Sequence, residues 1–271
     1  MPAKYSRPQP LSALPEFIVE IASMQMETRE LEGKVALVTG ASRNIGRAIA
    51  EALASAGAIV VVNALRSKAD VGAVVAGIAA NGGRASPYLA DVTDGAAVHA
   101  MIGQIVAQHR RLDILVNNAV THQDKRFLEA TYEDWRRTLM VTLDGAYHCT
   151  RAAVPVMIES GGGSIVNIGG LAGHVYMYDR VPVSAAKAGL AGMTRALAGD
   201  LARQNITVNC VVPGPTNTLR AKPSRQDPNE IPIPRLAEPA EIAAMVRLLC
   251  GPGGRYTTGQ CIHINGGLHM G

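Results

Sequence analysis

The stretch VALVTGASRNIG, residues 35–46, decides the fold of this 271-residue chain. Its apolar start predicts a buried strand over Val35 to Thr39, and the glycines that follow allow a sharp turn. A helix is expected to begin near Arg47, with apolar residues on its buried side: Ala48, Ile49, Ala52 and Leu53. A strand, a glycine-bearing turn and a helix in this order bring backbone N–H groups to a pyrophosphate.

Further short β-branched runs alternate with longer helical patterns along the rest of the chain. These runs predict strands at Ile59 to Asn63, Ala85 to Ala90, Ile114 to Asn117, Ser164 to Ile168, Thr207 to Val212 and Cys261 to Ile264. Strict alternation of strand and helix predicts an α/β fold with a doubly wound parallel sheet and helices on both faces. No change of composition divides residues 31–271, so we expect one domain there.

The composition argues against two classes of binding partner, nucleic acids and membranes. Aromatic residues make up 4% of the chain and the formal net charge is only +4, which argues against nucleic acid. The longest apolar runs fall short of the ~20 residues of a membrane span, so we expect no membrane partner and a cytoplasmic location. The cysteines are far apart and are expected to be buried free thiols: Cys149, Cys210, Cys250 and Cys261.

Two segments depart from the alternating pattern. Residues 1–30 begin with several prolines, and apolar residues then recur at helical spacing. This segment is either an arm that packs on a neighbouring subunit or not native structure, in which case Met24 or Met26 would be the start. The loop from Arg220 to Arg235 is rich in proline and charge, as lids over sites often are.

Several motifs in order resemble the short-chain dehydrogenase/reductase family. The turn from Thr39 to Gly46 matches the fingerprint TGxxxGxG except at Asn44, and asparagine tolerates the left-handed backbone conformation well. Asp91-Val92 is similar to the family's adenine contact, and Asn117-Asn118-Ala119 to its NNA segment. Residues 213–218 are similar to the loop that meets the nicotinamide, and residues 258–267 to the final strand and subunit contact. The resemblance implies a Rossmann-type fold over residues 31–271.

The resemblance also implies a nicotinamide dinucleotide cofactor. The residues expected at it are Gly40, Ser42, Arg43, Asn44, Ile45, Gly46, Asp91, Val92, Asn117, Ala119, Lys187, Pro213, Gly214, Thr216 and Thr218. Around the ribose, the second strand ends Asn63-Ala64-Leu65-Arg66 without an acid, and Arg43 lies in the phosphate turn. Both observations favour NADP(H) over NAD(H), because arginine pairs with a 2′-phosphate. The alternative is that Arg66 merely lies in solvent.

The family's catalytic residues are an Asn, a Ser, a Tyr and a Lys, and only the lysine is kept. In their places this chain has Thr142, Gly170, Val183 and Lys187. Loss of a catalytic proton donor costs about 10²–10⁴-fold in rate, so ordinary ketone turnover should be feeble. The paired Gly169 and Gly170 are expected to enlarge the pocket or to expose backbone N–H groups to a ligand.

Other residues near the pocket are candidate proton carriers. The segment between Gly170 and Val183 holds Tyr176 and Tyr178, flanked by His174 and Asp179, and a second group follows the NNA segment: His122, Asp124 and Lys125. Loop residues without a catalytic role are the favoured interpretation of both groups. The spacing of histidines and carboxylates indicates no metal site.

Three functional hypotheses remain open. The first is an NADP(H)-linked oxidoreductase that acts on a small molecule needing little acid assistance, such as an iminium, a quinone or an activated alkene. The second is an NADP(H)-binding pseudoenzyme or a partner subunit for an intact enzyme. The third is non-redox chemistry in the same pocket. The resemblance also implies a homodimer or homotetramer, formed through the helix that carries Lys187 and the C-terminal strand.

Overall fold

A single seven-stranded parallel sheet organises the chain. The computed structural model describes residues 29–121, 124–219 and 226–270. The strands are β1 (Val35–Val38), β2 (Ile59–Ala64), β3 (Arg84–Leu89), β4 (Ile114–Asn117), β5 (Gly163–Ile168), β6 (Ile206–Pro213) and β7 (Cys261–Ile264). Their order in the sheet is β3-β2-β1-β4-β5-β6-β7, and every pair is parallel. All seven predicted strands are confirmed, with ends that differ by at most one residue.

Helices follow the strands and return the chain from the carboxyl ends of the strands to their amino ends. They are α1 (Asn44–Ser55), α2 (Lys68–Ala80), α3 (Gly95–His109), α4 (Tyr132–Leu139), α5 (Gly145–Glu159), α6 (Val181–Leu201) and α7 (Pro239–Cys250). A π-helical turn, Met140–Asp144, joins α4 to α5. No described helix is both long and apolar enough to cross a bilayer.

The core has two halves, one on each face of the sheet. Residues of α1, α2 and α7 fill one half, and residues of α3, α5 and α6 fill the other. Strand β1 shows why both halves need apolar side chains. Ala36 and Val38 point into the first half, while Val35 and Leu37 point into the second. A strand buried on both faces reads as a continuous apolar run, and this is the pattern from which the sheet was predicted.

Helix α1 begins at Asn44, so the prediction of a start near Arg47 is wrong. The backbone of Asn44 has φ of +53°, and the helix follows at once. Because Asn44 adopts the left-handed conformation, the turn ends there and is shorter than the glycine pattern indicates. The predicted buried side of α1 is confirmed for Ile49 and Leu53, while Ala48 and Ala52 are half-buried.

The topology fixes where a ligand can bind. The chain runs from β1 through β2 to β3 in one direction and then crosses back to β4, so the strand order reverses between β1 and β4. In open α/β sheets the crevice outside the carboxyl ends of such strands is the usual ligand site. The proposed arm lies almost wholly outside the described residues, which begin at residue 29.

Candidate functional site

Two glycines let the turn after β1 approach the segment after β4. Gly40 has φ of +62°, and a Cβ there would lie 2.9 Å from Cα of Ala119. A Cβ on Gly46 would overlap the side-chain amide of Asn118 and the carbonyl oxygen of Gly40. Because a side chain at either position would displace backbone, the turn has the close-packed, side-chain-free surface that a pyrophosphate requires.

Hydrogen bonds hold this turn in place. The side-chain amide of Asn118 donates to the carbonyl oxygens of Thr39 and Gly40, both at 2.9 Å. The backbone N–H groups of Asn118 and Ala119 donate to Oγ1 of Thr39 at 3.0 and 3.1 Å. Thr39 and Asn118 therefore brace the two sides of the crevice. Both residues stand within the motifs of the sequence, but the motifs alone indicate no bracing role for either.

Asn44 links the turn to the loop after β6. Its side-chain amide donates to the carbonyl oxygen of Leu219 at 3.1 Å, and its Oδ1 accepts from the N–H of Leu219 at 2.9 Å. A glycine at this position would allow the same backbone conformation but not this clasp. The first turn of α1 carries no acidic side chain, so its positive end stays available to an anion.

The residues expected near the ribose separate into two groups. Arg43 and Arg66 are exposed, and neither forms an ion pair with a described residue. Asn63 is instead buried, and its side-chain amide donates to the carbonyl oxygens of Tyr88 and Ala90. Two free guanidinium groups beside the crevice fit a phosphate, whereas the Asn63 side chain joins β2 to β3.

The predicted adenine contact lies where β3 ends. Oδ1 of Asp91 accepts from the N–H and the hydroxyl of Thr93 at 2.9 and 2.8 Å. Val92 is buried and approaches so close to α5 that a Cβ on Gly145 would overlap it. The carboxylate of Asp91 thus shapes a local turn that presents this segment at the sheet edge.

The loop after β6 is held by its own backbone. The N–H of Gly214 donates to the carbonyl oxygen of Ile264 at 2.8 Å, and a Cβ on Gly214 would lie 2.6 Å from Cα of Asn265. Thr216 is buried, and its hydroxyl donates to the carbonyl oxygen of Gly214 at 3.0 Å. The hydroxyl of Thr218 donates to the carbonyl oxygen of Thr216 at 3.4 Å. The segment from Pro213 to Thr218 is therefore a rigid ledge beside the crevice.

Lys187 lies in α6 with its ammonium directed at the end of β5. The residue is 5% exposed, and its Nζ donates to the carbonyl oxygen of Ile168 at 2.6 Å. Burial lowers the pKa of Lys187 to about 8. This ammonium lies at the carboxyl end of β5, the same end of the sheet as the glycine turn after β1.

A buried chain of polar side chains fixes α6 against the sheet. The amide of Asn117 donates to Oδ1 of Asn167 at 2.9 Å, and the amide of Asn167 donates to Oγ1 of Thr194 at 2.9 Å. Asn117 also donates to Oγ1 of Thr150 at 3.2 Å. The Asn117 side chain thus points into the protein and positions β4, β5 and the helices, while its neighbour Asn118 faces the crevice.

The positions around Lys187 offer little hydrogen-bonding capacity. Val183 is 3% exposed, one helical turn before Lys187. Gly170 has no side chain, and its Cβ position is open, 3.9 Å from Cε of Lys187. Thr142 lies in the π-helical turn, and its hydroxyl is buried with no partner among the described residues. Gly169 differs from Gly170, because a Cβ there would lie 2.6 Å from Sγ of Cys210, so close packing explains it.

The candidate substitute donors lie outside this group. Tyr176 and Tyr178 are 82% and 63% exposed, and their rings contact each other edge to face. Asp124 forms an ion pair with Arg180, and Lys125 forms one with Asp134. His122 lies outside the described residues. In the described structure both tyrosines are directed to solvent, which is how loop residues without a catalytic role are placed.

An apolar pocket opens at the N-terminal end of α6. Its volume is about 360 Å³, within the range of small-molecule sites. It is lined by Phe127, Ala130, Thr131, Tyr132, Trp135, Val181 and Pro182. Val181 and Pro182 directly precede Val183 in the chain.

Three histidines meet although the sequence spacing gave no indication of it. His174 follows β5, His263 lies in β7 and His269 lies near the C-terminus. Ligand atoms of all three lie within 4.8 Å of one another. The parallel pairing of distant segments brings them together, so no short motif could reveal them. The four cysteines are free as predicted, but Cys261 is half-buried, unlike the other three.

Known proteins resemble this chain over most of its length. A family model described as enoyl-(acyl carrier protein) reductase matches residues 40–269. The 3-oxoacyl-[acyl-carrier-protein] reductase of Synechocystis sp. is 40% identical over 246 residues, covering 89% of this chain and 98% of that protein.

Solved structures give the same result. A short-chain dehydrogenase/reductase from Serratia marcescens has a TM-score of 0.83 at 34% identity, covering 88% of this chain and 98% of its own. A blue fluorescent protein from a metagenomic library, solved in complex with NADPH, has a TM-score of 0.83 at 37% identity, covering 89% of this chain and 100% of its own. The likeness therefore extends far beyond the glycine-bearing turn.

Proposed function

This chain belongs to the short-chain dehydrogenase/reductase family, and we propose that it is an NADP(H)-linked oxidoreductase that works without the family's usual tyrosine acid. The observation that carries the proposal is the contrast around Lys187. The side of the crevice that holds the glycine turn is braced by hydrogen bonds, while the side at Lys187 has valine and glycine where the resemblance implies tyrosine and serine. This contrast supports a chain that binds the dinucleotide without donating a proton.

The residues fit a bound NADP(H). Gly40 and Gly46 leave no side chain over the turn, and Arg43 and Arg66 offer two free cations for a 2′-phosphate. The ammonium of Lys187 can donate to ribose hydroxyls from its position beside Ile168. The structural relative solved with NADPH supports the same cofactor for this chain. When bound, the cofactor supplies a hydride.

The missing acid restricts the substrate. A ketone that accepts a hydride becomes an alkoxide, which is strongly basic and needs a proton donor as charge develops. A conjugated alkene becomes a delocalised enolate, an iminium becomes a neutral amine, and a quinone becomes a hydroquinone anion. Each of these products is a weaker base than an alkoxide, so water can supply the proton in a later step. The matching family model is described as enoyl-(acyl carrier protein) reductase, which makes the conjugated alkene the first acceptor to test.

The apolar pocket supports a substrate with an apolar part. Its apolar lining would receive a hydrocarbon portion of the substrate. The open Cβ position of Gly170 leaves room beside Lys187. These residues would orient the acceptor and exclude water without donating a proton.

A pseudoenzyme is the second candidate, and Val183 favours it specifically. A buried apolar residue at the acid position is what a chain would hold if it binds NADP(H) as a sensor or supports an intact partner subunit. This candidate requires tight NADP(H) binding and no turnover of any acceptor.

A single-turnover panel tests the proposal. The NADPH complex of the unmodified chain is mixed with a ketone, a quinone, an imine and an enone, and the nicotinamide absorbance is followed. Oxidation by at least one of the last three, and not by the ketone, is expected. Binding of NADPH without oxidation by any acceptor would favour the pseudoenzyme. Conversion of substrate in the absence of NADP(H) would instead indicate elimination or hydrolysis.

We also propose a homodimer or homotetramer in the cytoplasm. Membership of the family supports this proposal, because the resemblance implies a subunit contact through α6 and the C-terminal strand. Strand β7 is an edge of the sheet and is only half-buried in one chain, so it has surface to offer. Light scattering of the purified chain measures the state, and a monomeric mass would contradict it.

A further inference from the structure

The three histidines lie on three segments that border the site. His174 directly follows Gly173, whose Cβ position would lie 2.7 Å from the backbone carbon of Lys187. His263 is in strand β7, and the backbone oxygen of His269 accepts from the side-chain amide of Asn265 at 3.0 Å. The cluster is thus formed by backbone segments that are already fixed, and not by loose surface side chains.

The rings are arranged around a common centre. The ring centroids of His174 and His263 are 4.6 Å apart, those of His263 and His269 are 4.7 Å apart, and those of His174 and His269 are 6.2 Å apart. Nitrogen ligands of a tetrahedral zinc ion with bonds of about 2.0–2.1 Å lie roughly 3.4 Å apart. The ligand atoms here lie within 4.8 Å, so modest side-chain rotation would bring them to that distance.

Two ring nitrogens of the cluster lack the hydrogen bonds that buried polar atoms normally form. Nε2 of His174 and Nδ1 of His263 are buried, and neither has a partner among the described residues. A buried unsatisfied nitrogen costs free energy unless something binds it.

We propose that His174, His263 and His269 bind a divalent first-row transition metal, with zinc as the first ion to test. Three neutral imidazoles with an open fourth position match the ligand preference of zinc, which water would complete. The positive charge of Arg195 acts on His174 and would oppose a bound dication. The sequence spacing alone indicated no metal.

Such an ion would join three parts of the chain that surround the reacting side. The segment of His174 packs on α6 at Lys187, and the C-terminal segment of His269 contacts the loop after β6 through the N–H of Ile233, which donates to the carbonyl oxygen of Gly266 at 2.9 Å. The metal would tie the segment after β5 to strand β7 and to the C-terminal segment. The inference stands independently of which acceptor the enzyme reduces.

Metal titration of the full chain tests the site. The chelator-treated protein is titrated with ZnCl₂ by calorimetry, and with CoCl₂ while the visible absorption of tetrahedral Co²⁺ is recorded. One equivalent per chain and a tetrahedral Co²⁺ spectrum are expected. His263→Gln and His269→Gln should each weaken zinc binding at least about 10-fold. His99→Gln, on the exposed face of α3, is the matched control and should change nothing.

Thermal melts by circular dichroism keep the result interpretable. Each variant must melt cooperatively without metal, and saturating zinc should raise the Tm of the unmodified chain and of His99→Gln but not of His269→Gln. His269 lies beyond the last strand, so its substitution leaves the sheet intact. Failure to bind zinc, or equal affinity in the unmodified chain and both cluster variants, would overturn the proposal. NADPH binding is measured separately, so the two proposals can fail independently.

Discussion

The two sides of the crevice differ in the number of hydrogen bonds that their side chains form. Around the glycine turn, Thr39 and Asn118 make four hydrogen bonds of about the same length across the crevice. Around Lys187, by contrast, Val183 and Gly170 offer no side-chain donor, and the hydroxyl of Thr142 has no partner among the described residues. The side at the glycine turn is held by hydrogen bonds, while the side at Lys187 is largely apolar.

Under the proposed function, this difference assigns binding and proton transfer to separate parts of the crevice. The pyrophosphate surface depends on backbone geometry that few substitutions tolerate, whereas the acid is one hydroxyl on one side chain. A chain can therefore lose the acid while keeping the dinucleotide crevice intact. Substitutions on each side should act on different observables, which gives four ways to test the contrast.

The largest expected effect comes from restoring the acid. Val183→Tyr combined with Gly170→Ser should raise ketone turnover by about 10²–10⁴-fold, because a hydroxyl then meets the developing alkoxide. The open Cβ position of Gly170 admits the serine. The measurement is single-turnover NADPH oxidation by a ketone. Val183→Phe with Gly170→Ser is the control, and an equal gain in that variant would show that the hydroxyl is not responsible.

On the dinucleotide side, Gly46→Ala should abolish measurable NADPH binding, a loss of more than about 100-fold. The new methyl group would overlap the amide of Asn118 and displace the brace. Calorimetric titration with NADPH measures the loss. Gly72→Ala in α2 is the control, since nothing lies within 4 Å of its Cβ position, and it should bind normally. Normal binding by Gly46→Ala would refute the braced-turn account.

Cofactor choice should change with Arg66. We expect Arg66→Asp to reduce the preference for NADPH over NADH by about 10–100-fold, because a charge-assisted hydrogen bond to the 2′-phosphate is replaced by repulsion. The ratio of the two dissociation constants measures it. Arg203→Asp is the control, since Arg203 is exposed and lies just before β6, at the amino ends of the strands and away from the crevice. An unchanged ratio in Arg66→Asp would mean that this arginine lies in solvent.

The smallest expected effects are those of Lys187→Met, which should change both NADPH binding and the stability of the fold. Lys187→Met should weaken NADPH binding about 10-fold, since a donor to the ribose is lost. At pH 7 the ligand-free variant should be more stable than the unmodified chain by about 1–3 kcal/mol, because a buried ammonium is removed.

The pH dependence of that difference has a definite sign. Lysine ordinarily has a pKa of 10.5, and burial lowers that of Lys187 to about 8. The unfolded chain therefore binds more protons between these values, and the unmodified chain gains stability as pH rises from about 8 to 10.5. Denaturant melts across this range should show the gap to Lys187→Met closing. A gap that stays constant would mean that the folded-state pKa is not lowered.

Much of the fold could be predicted because its signals are local. Continuous apolar runs such as Val35 to Val38 mark strands buried on both faces, and each predicted strand end was within one residue. The start of α1 was missed because the left-handed Asn44 shortens the turn. Local glycine patterns predict a turn, but they do not specify which residue closes it.

The site was predictable only in part, because its contacts join distant segments. Asn117 and Asn118 are neighbours in the sequence, yet one points into the core and the other braces the crevice. The gathering of His174, His263 and His269 depends on the pairing of β6 with β7 and on the C-terminal turn. Such juxtapositions leave no periodicity or spacing in the sequence.

The most direct test compares two thioesters of equal chain length. The NADPH complex of the unmodified protein is mixed in a stopped-flow instrument with a 3-oxoacyl thioester and, separately, with the matching enoyl thioester. The account predicts a single turnover of NADPH oxidation with the enoyl compound and none with the 3-oxoacyl compound. Rapid oxidation by the 3-oxoacyl thioester would contradict it, because a ketone would then be reduced without the tyrosine.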